Sequence, residues 1–178
     1  MEAIEKKITK IIPDNLKLPV RELDGRLIIS KATDVFGWVD SNFRKLGLDK
    51  PSRPTKKVNA LVSEIIGDGT FIRIFTDINP NLEKSVMTLS QIIEFCKNYP
   101  SWLKQRGETL FLTEKKRSIF QKIWNFILRR KLRKYFVVHV HVFSDGLDAY
   151  VHLLEDGYVW RGECRYCVVS PQLIPSVA

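Results

Sequence analysis

Three histidines, His139, His141 and His152, are the only imidazoles among 178 residues, and their spacing lets them act together. His139 and His141 are two apart, which on a strand places both on one face. A two-residue loop at Asp145-Gly146 pairs His139 with His152 and His141 with Tyr150, gathering all three on that face. Such a group can ligate a metal or transfer protons, so these three are the candidate metal ligands, although their spacing matches no established ligand motif. A second two-residue loop at Asp156-Gly157 adds Arg161 beside His152, Glu163 beside Tyr150 and Arg165 beside Asp148. The opposite face, from Val138, Val140, Val142, Ala149, Val151, Leu153, Trp160 and Cys164, is apolar and must meet helices, which leaves the histidine face free to bind a ligand, or else solvated or covered by the basic insertion. Cys164 and Cys167 form one Cys-x-x-Cys. Positions three apart on a strand point to opposite faces, so the expectation is one buried and one exposed thiol rather than a zinc or redox pair.

The second chemical feature is charge. Lys115, Lys116, Arg117, Lys122, Arg129, Arg130, Lys131, Arg133 and Lys134 are nine cations in twenty residues with no acid among them. Removing those nine from the 29 Lys and Arg leaves 20, equal to the 20 Asp and Glu of the chain, so the net charge of +9 is local to this segment. Ile119, Phe120, Ile123, Trp124 and Ile127 recur at helical spacing from Ser118 to about Leu132, with Lys122, Arg129 and Arg133 opposite. Cations with interleaved aromatics suit phosphate neutralisation and base stacking, with Trp124 as the stacking ring. The same pattern suits a helix on anionic lipid, or an apolar face packed on the domain with solvated charges.

The elements that must position these residues follow from periodicity and turn chemistry. Ile4, Ile8, Ile11 and Ile12 predict a short amphipathic helix stopped by Pro13, and Asp24-Gly25 predicts a hairpin joining Leu16–Leu23 to Arg26–Ser30. Val35, Val39, Phe43 and Leu46 predict a helix closed by Gly47, and Val58, Leu61, Val62, Ile65 and Ile66 a second. Phe71–Ile78 fits helix or strand. Thr88 and Gln91 form a capping box, with Met87 and Ile92 as its hydrophobic staple, for a helix from Leu89 to about Asn98 that Pro100 ends. Leu110–Thr113, Tyr135–Ser144, Leu147–Leu154 and Tyr158–Ser170 read as strands. The expected fold is therefore α+β in one domain: a helical N-terminal half packed on a C-terminal antiparallel meander of about four strands, with Lys115–Lys134 as a basic helical insertion in the first hairpin.

Thr33–Phe43, Thr88–Leu103, the strands flanking Ser144-Asp145-Gly146 and the run Val168–Leu173 together resemble an uncharacterised family of small predicted proteins common in candidate-phylum bacterial genomes. The resemblance spans about Leu23 to Leu173 and implies no activity, cofactor or catalytic residue. In the similar sequences a short turn joins the strands matching Leu110–Thr113 and Tyr135–Ser144, which marks most of Lys115–Lys134 as an insertion.

Phosphate-binding glycine loops, zinc-protease and nucleophile-elbow motifs are missing, and no cofactor is expected. No run of eighteen apolar residues is present, the first residues lack a signal-peptide pattern, and three cysteines suit a reducing compartment, so a cytoplasmic protein is expected, and the resemblance implies a bacterial one. The leading reading is a non-enzymatic protein that contacts nucleic acid or another polyanion through the basic segment. The alternatives are a metal or enzymatic site on the histidine face, and association with an anionic membrane surface.

Overall fold

Val58–Ile65 is buried or part-buried at every residue and pairs antiparallel along its length with other segments, which makes it a strand, not the helix its apolar spacing suggested. Four of its apolar residues belong to cores on opposite sides: Val58, Ala60 and Val62 face one way and Ile65 the other. A strand covered on both faces reads as a nearly continuous apolar run, which imitates helical spacing.

The computed structural model describes residues 7–12, 18–115, 135–164 and 166–172. In chain order its elements are strands β1 (Thr9–Ile11), β2 (Leu18–Val20) and β3 (Phe36–Val39), helix α1 (Asn42–Lys45), strands β4 (Val58–Ile65) and β5 (Gly69–Thr70), and helices α2 (Phe71–Ile78), α3 (Leu89–Asn98) and α4 (Pro100–Arg106). Strands β6 (Thr109–Glu114), β7 (Tyr135–Val142), β8 (Leu147–Leu153), β9 (Val159–Trp160) and β10 (Cys167–Gln172) follow. Eight strands make one mixed sheet in the order β1-β4-β10-β6-β7-β8-β3, with β2 also on β4, while β5 and β9 form a separate ribbon.

This corrects the expected α+β fold. The protein is mostly β, strands come first, and no helical N-terminal half exists among the described residues. Thr9–Ile11 pairs with β4 where a helix was expected. The Asp24-Gly25 hairpin does not form: Gly25 has φ +81°, but its carbonyl accepts from Ser52 N–H at 2.8 Å, and Leu23 pairs with Thr55 instead. Of the helix expected over Val35–Leu46, only α1 remains, closed by Gly47 at φ +70°. The meander is also overturned. Tyr158–Ser170 is not one strand, because β9 leaves to pair with β5 and β10 lies antiparallel to β4 and parallel to β6.

Other expectations hold. Thr88 caps α3 with the full reciprocal box, and Met87 and Ile92 are both buried at the staple positions. Pro100 opens α4 rather than simply ending α3, which suits its fixed φ at a first helical position. Glu114 pairs with Tyr135, so the chain does leave and re-enter a hairpin around the basic segment. The helix expected within that segment, and residues 1–6 of the expected N-terminal helix, lie outside the described residues. No described helix is long and apolar enough to cross a membrane.

Two cores lie on opposite faces of the sheet. On one, α3 packs Ile92, Ile93 and Phe95 against Phe111, Val138, Val140, Ala149 and Val169; on the other, α2 packs Phe71, Ile74 and Phe75 against Leu110, Val137 and Val168. Arg21, just beyond β2, bonds the buried Glu94 of α3 and, with Asn98, holds that carboxyl below its ordinary range against the opposing effect of burial. Phe95 is fully buried among Tyr99, Trp102 and Phe111, with ring centroids 5.1, 5.9 and 5.5 Å away. Phe95→Ala is expected to cost about 3–5 kcal/mol of stability, read from the shift of the urea unfolding midpoint at constant slope.

Candidate functional site

Alternation along β7 sends Phe136, Val138 and Val140 into the α3 core and Val137, His139 and His141 to the opposite face. The turn after β7 is longer than expected. Phe143 N–H bonds Gly146 C=O at 2.8 Å and Val142 pairs with Leu147, so four residues join β7 to β8. His139 therefore pairs with Tyr150 and His141 with Asp148, two residues away from the expected partners. A shift of two preserves the face, and all three histidines still share it.

That face is not simply solvated. Helix α2 and the β5–β9 ribbon cover part of it, and Trp160, expected on the other face, closes over His139 with ring centroids 5.1 Å apart. Trp160 also meets Phe71 at 5.4 Å and Tyr166 at 4.7 Å. Arg161 and Glu163 pair with each other in the turn after β9 rather than joining His152 and Tyr150, and Arg165 lies outside the described residues.

Glu108 completes the cluster. Helix α4 ends at Gly107, whose φ of +78° and ψ of −91° turn the chain into β6. Glu108 precedes the Thr109–Val140 pair, on the register that opposes it to His141. Its carbonyl accepts from Cys167 N–H of β10 at 3.1 Å, fixing its backbone from a second strand. One carboxylate oxygen is then 2.8 Å from His141 Nδ1 and the other 3.3 Å from His139 Nε2. The nearer contact is a hydrogen bond; the farther lacks the alignment of one, and His139 Nε2 is a buried nitrogen with no hydrogen-bond partner among the described residues. Burial raises the Glu108 carboxyl, but the two histidines outweigh it and leave its pKa lowered.

Glu108, His139 and His141 each offer one ligating atom, all within 4.8 Å of one another. His152 is not of this set. It packs on Phe71 at 5.6 Å and on His139 at 5.9 Å, and burial together with the His139 charge holds its imidazole below its ordinary value, against Asp156 and Asp40. The sequence-derived trio thus exchanges one member: Glu108 enters and His152 leaves. The signal for Glu108 was the Gly-Glu pair directly before a strand, read with the β6–β7 register.

Of the basic residues, Lys115 is described, and its Nζ donates to Leu46 C=O at 2.8 Å. Lys116, Arg117, Lys122, Trp124, Arg129, Arg130, Lys131, Arg133 and Lys134 lie outside the described residues. Cys164 is exposed in a turn and Cys167 buried in the sheet, and neither forms a disulfide. Cys164 hydrogen-bonds Tyr166, which, with burial, raises the phenol pKa. No protein-family model, curated protein or solved structure matches the chain.

Gly107 sets where Glu108 enters the cluster, and a Cβ added there meets no atom within 4 Å. Gly107→Ala is therefore a test of backbone strain alone. It is expected to lower stability by roughly 1–3 kcal/mol in thermal unfolding, with the sheet retained by circular dichroism.

Proposed function

We propose that this protein binds a first-row divalent transition metal through Glu108, His139 and His141. The observation that carries this reading is the buried His139 Nε2, which lacks a hydrogen bond and faces the same carboxylate as His141. A nitrogen lone pair in such a place is satisfied by a cation, and two imidazoles with one carboxylate suit zinc, iron, nickel or copper better than magnesium or calcium. Metal–ligand bonds of about 2.0–2.2 Å need only small side-chain shifts from the present spread. Three protein ligands leave a coordination position open, as in sites where metal-bound water or a small ligand reacts. The aromatic ring of Trp160 beside His139 would limit solvent at that position.

Chelator-treated protein titrated with zinc in a calorimeter, and with cobalt by visible absorption, is expected to bind one ion per chain. His141→Asn and Glu108→Gln each weaken binding at least about 100-fold, since even residues that only orient ligands cost 10–100-fold. His152→Asn keeps it. Equal affinity in the ligand variants, or no saturable uptake by the unsubstituted protein, defeats the reading.

A second reading rests on charge. The nine cations of Lys115–Lys134, without an acid among them, support contact with nucleic acid through that segment. Retention of single-stranded RNA and DNA should fall steeply between low and physiological salt and be lost when Arg129, Arg130, Lys131, Arg133 and Lys134 are all replaced by Gln. Undiminished binding by that variant refutes it, and flotation on anionic vesicles without nucleic-acid retention assigns the segment to a lipid surface instead.

A further inference from the structure

Strand β3 carries one residue too many for its partner. Phe36 pairs with Leu147 and Val39 with Ala149, so Gly37 and Trp38 together oppose Asp148. Phe36 and Val39 both pack toward the α3 core, and the bulge between them turns Trp38 out onto the histidine face. There the indole remains 46% exposed and meets Tyr150 with ring centroids 4.9 Å apart and planes at 45°.

These rings wall a cavity of about 280 Å³ whose other lining residues are Gly37, Asp145, Gly146 and Asp148. Among the described residues, the lining holds two carboxylates and no cation. Neither the Asp145 nor the Asp148 carboxylate has a hydrogen bond or ion pair with any described residue, although the chain as a whole carries +9. Two glycines lie in the lining. A Cβ at Gly37 would stand 3.8 Å from Asp148 Oδ1, and one at Gly146 would stand 3.9 Å from Gly37 N.

We propose that this cavity recognises a small organic cation, an alkylated ammonium head held between the Trp38 and Tyr150 rings and the Asp145 and Asp148 carboxylates. The faces of two aromatic rings attract a cation within about 6 Å of their centroids, and tryptophan does so best. Alkylation suits the site, because methyl groups contact the rings while the diffuse charge needs few hydrogen-bond acceptors. The carboxylates supply the charge complement that a neutral ligand would leave unused. A sugar would also stack on Trp38, yet it leaves both carboxylates uncompensated. The assignment does not depend on metal binding, since none of the six lining residues is a proposed ligand.

The test is a titration followed through the Trp38 indole N–H in nitrogen-correlated NMR spectra, assigned by its loss in Trp38→Ala. Choline and its uncharged isostere 3,3-dimethylbutan-1-ol are the paired probes, with methyl β-glucoside as the sugar control. Choline is expected to shift the resonance with millimolar affinity, and the isostere to bind about tenfold more weakly or not at all. Asp148→Asn lowers choline affinity several-fold, and the response to choline weakens as salt is raised. Both substitutions are at part-exposed positions, and retained spectral dispersion confirms folding. Failure of choline to shift the indole, equal binding of the isostere, tighter binding of the glucoside, or an unchanged affinity in Asp148→Asn each overturns the proposal.

Discussion

The insertion of β10 between β4 and β6 is the constraint on which the rest of the sheet depends. Its six residues pair along β4 on one edge and its first three along β6 on the other, so the last described strand lies inside the sheet. Remove it, and β4 with its partners β1 and β2 has no ladder to the remaining strands. Its side chains also join the two cores, with Val169 in the α3 core and Val168 in the α2 core. The N–H of Cys167 reaches back to Glu108, so the strand that unites the sheet also fixes the carboxylate of the candidate metal site.

Covering both faces leaves the histidine face divided. Toward β10 and β6, Leu110 and Val168 are fully buried beneath α2; toward β8 and β3, Tyr150 is part-buried and Trp38 largely exposed. Glu108, His139 and His141 occupy the boundary, with side-chain exposures of 21%, 13% and 30%. At such a boundary charges interact more strongly than in bulk water while small molecules and ions still have access. Chemistry collects there because the apolar cover stops there.

The sequence was most legible where a local rule sufficed. The Thr88–Gln91 box needs only four residues to specify the start of α3, and the period of two in Tyr135–Ser144 and Leu147–Leu154 is strong enough to show that the histidines share a face. It misled where the outcome depends on distant partners. Nothing within Tyr158–Ser170 tells that Trp160 pairs with β5 and Val169 with β4, since both partners lie about a hundred residues away. Val58–Ile65 was misread for the same reason: burial on both faces is a property of the sheet and erases the alternation that marks a strand. Glu108 was missed because it is a ligand candidate only through the β6–β7 register, whereas His152 was included because proximity on a face is not convergence on a point.

The two chemical features of the chain are attached to opposite ends of one strand. Glu108 stands immediately before β6, and the basic segment departs immediately after it, at Lys115. Seven residues of extended chain separate them by roughly 23 Å, at about 3.3 Å per residue. That exceeds two Debye lengths at physiological ionic strength, about 8 Å each, so Lys115 exerts little field on Glu108. Lys115 is turned aside as well, its ammonium held on the Leu46 carbonyl at the end of α1. Glu114 already pairs with Tyr135, so a turn in place of the segment would leave intact every described strand that positions Glu108, His139 and His141.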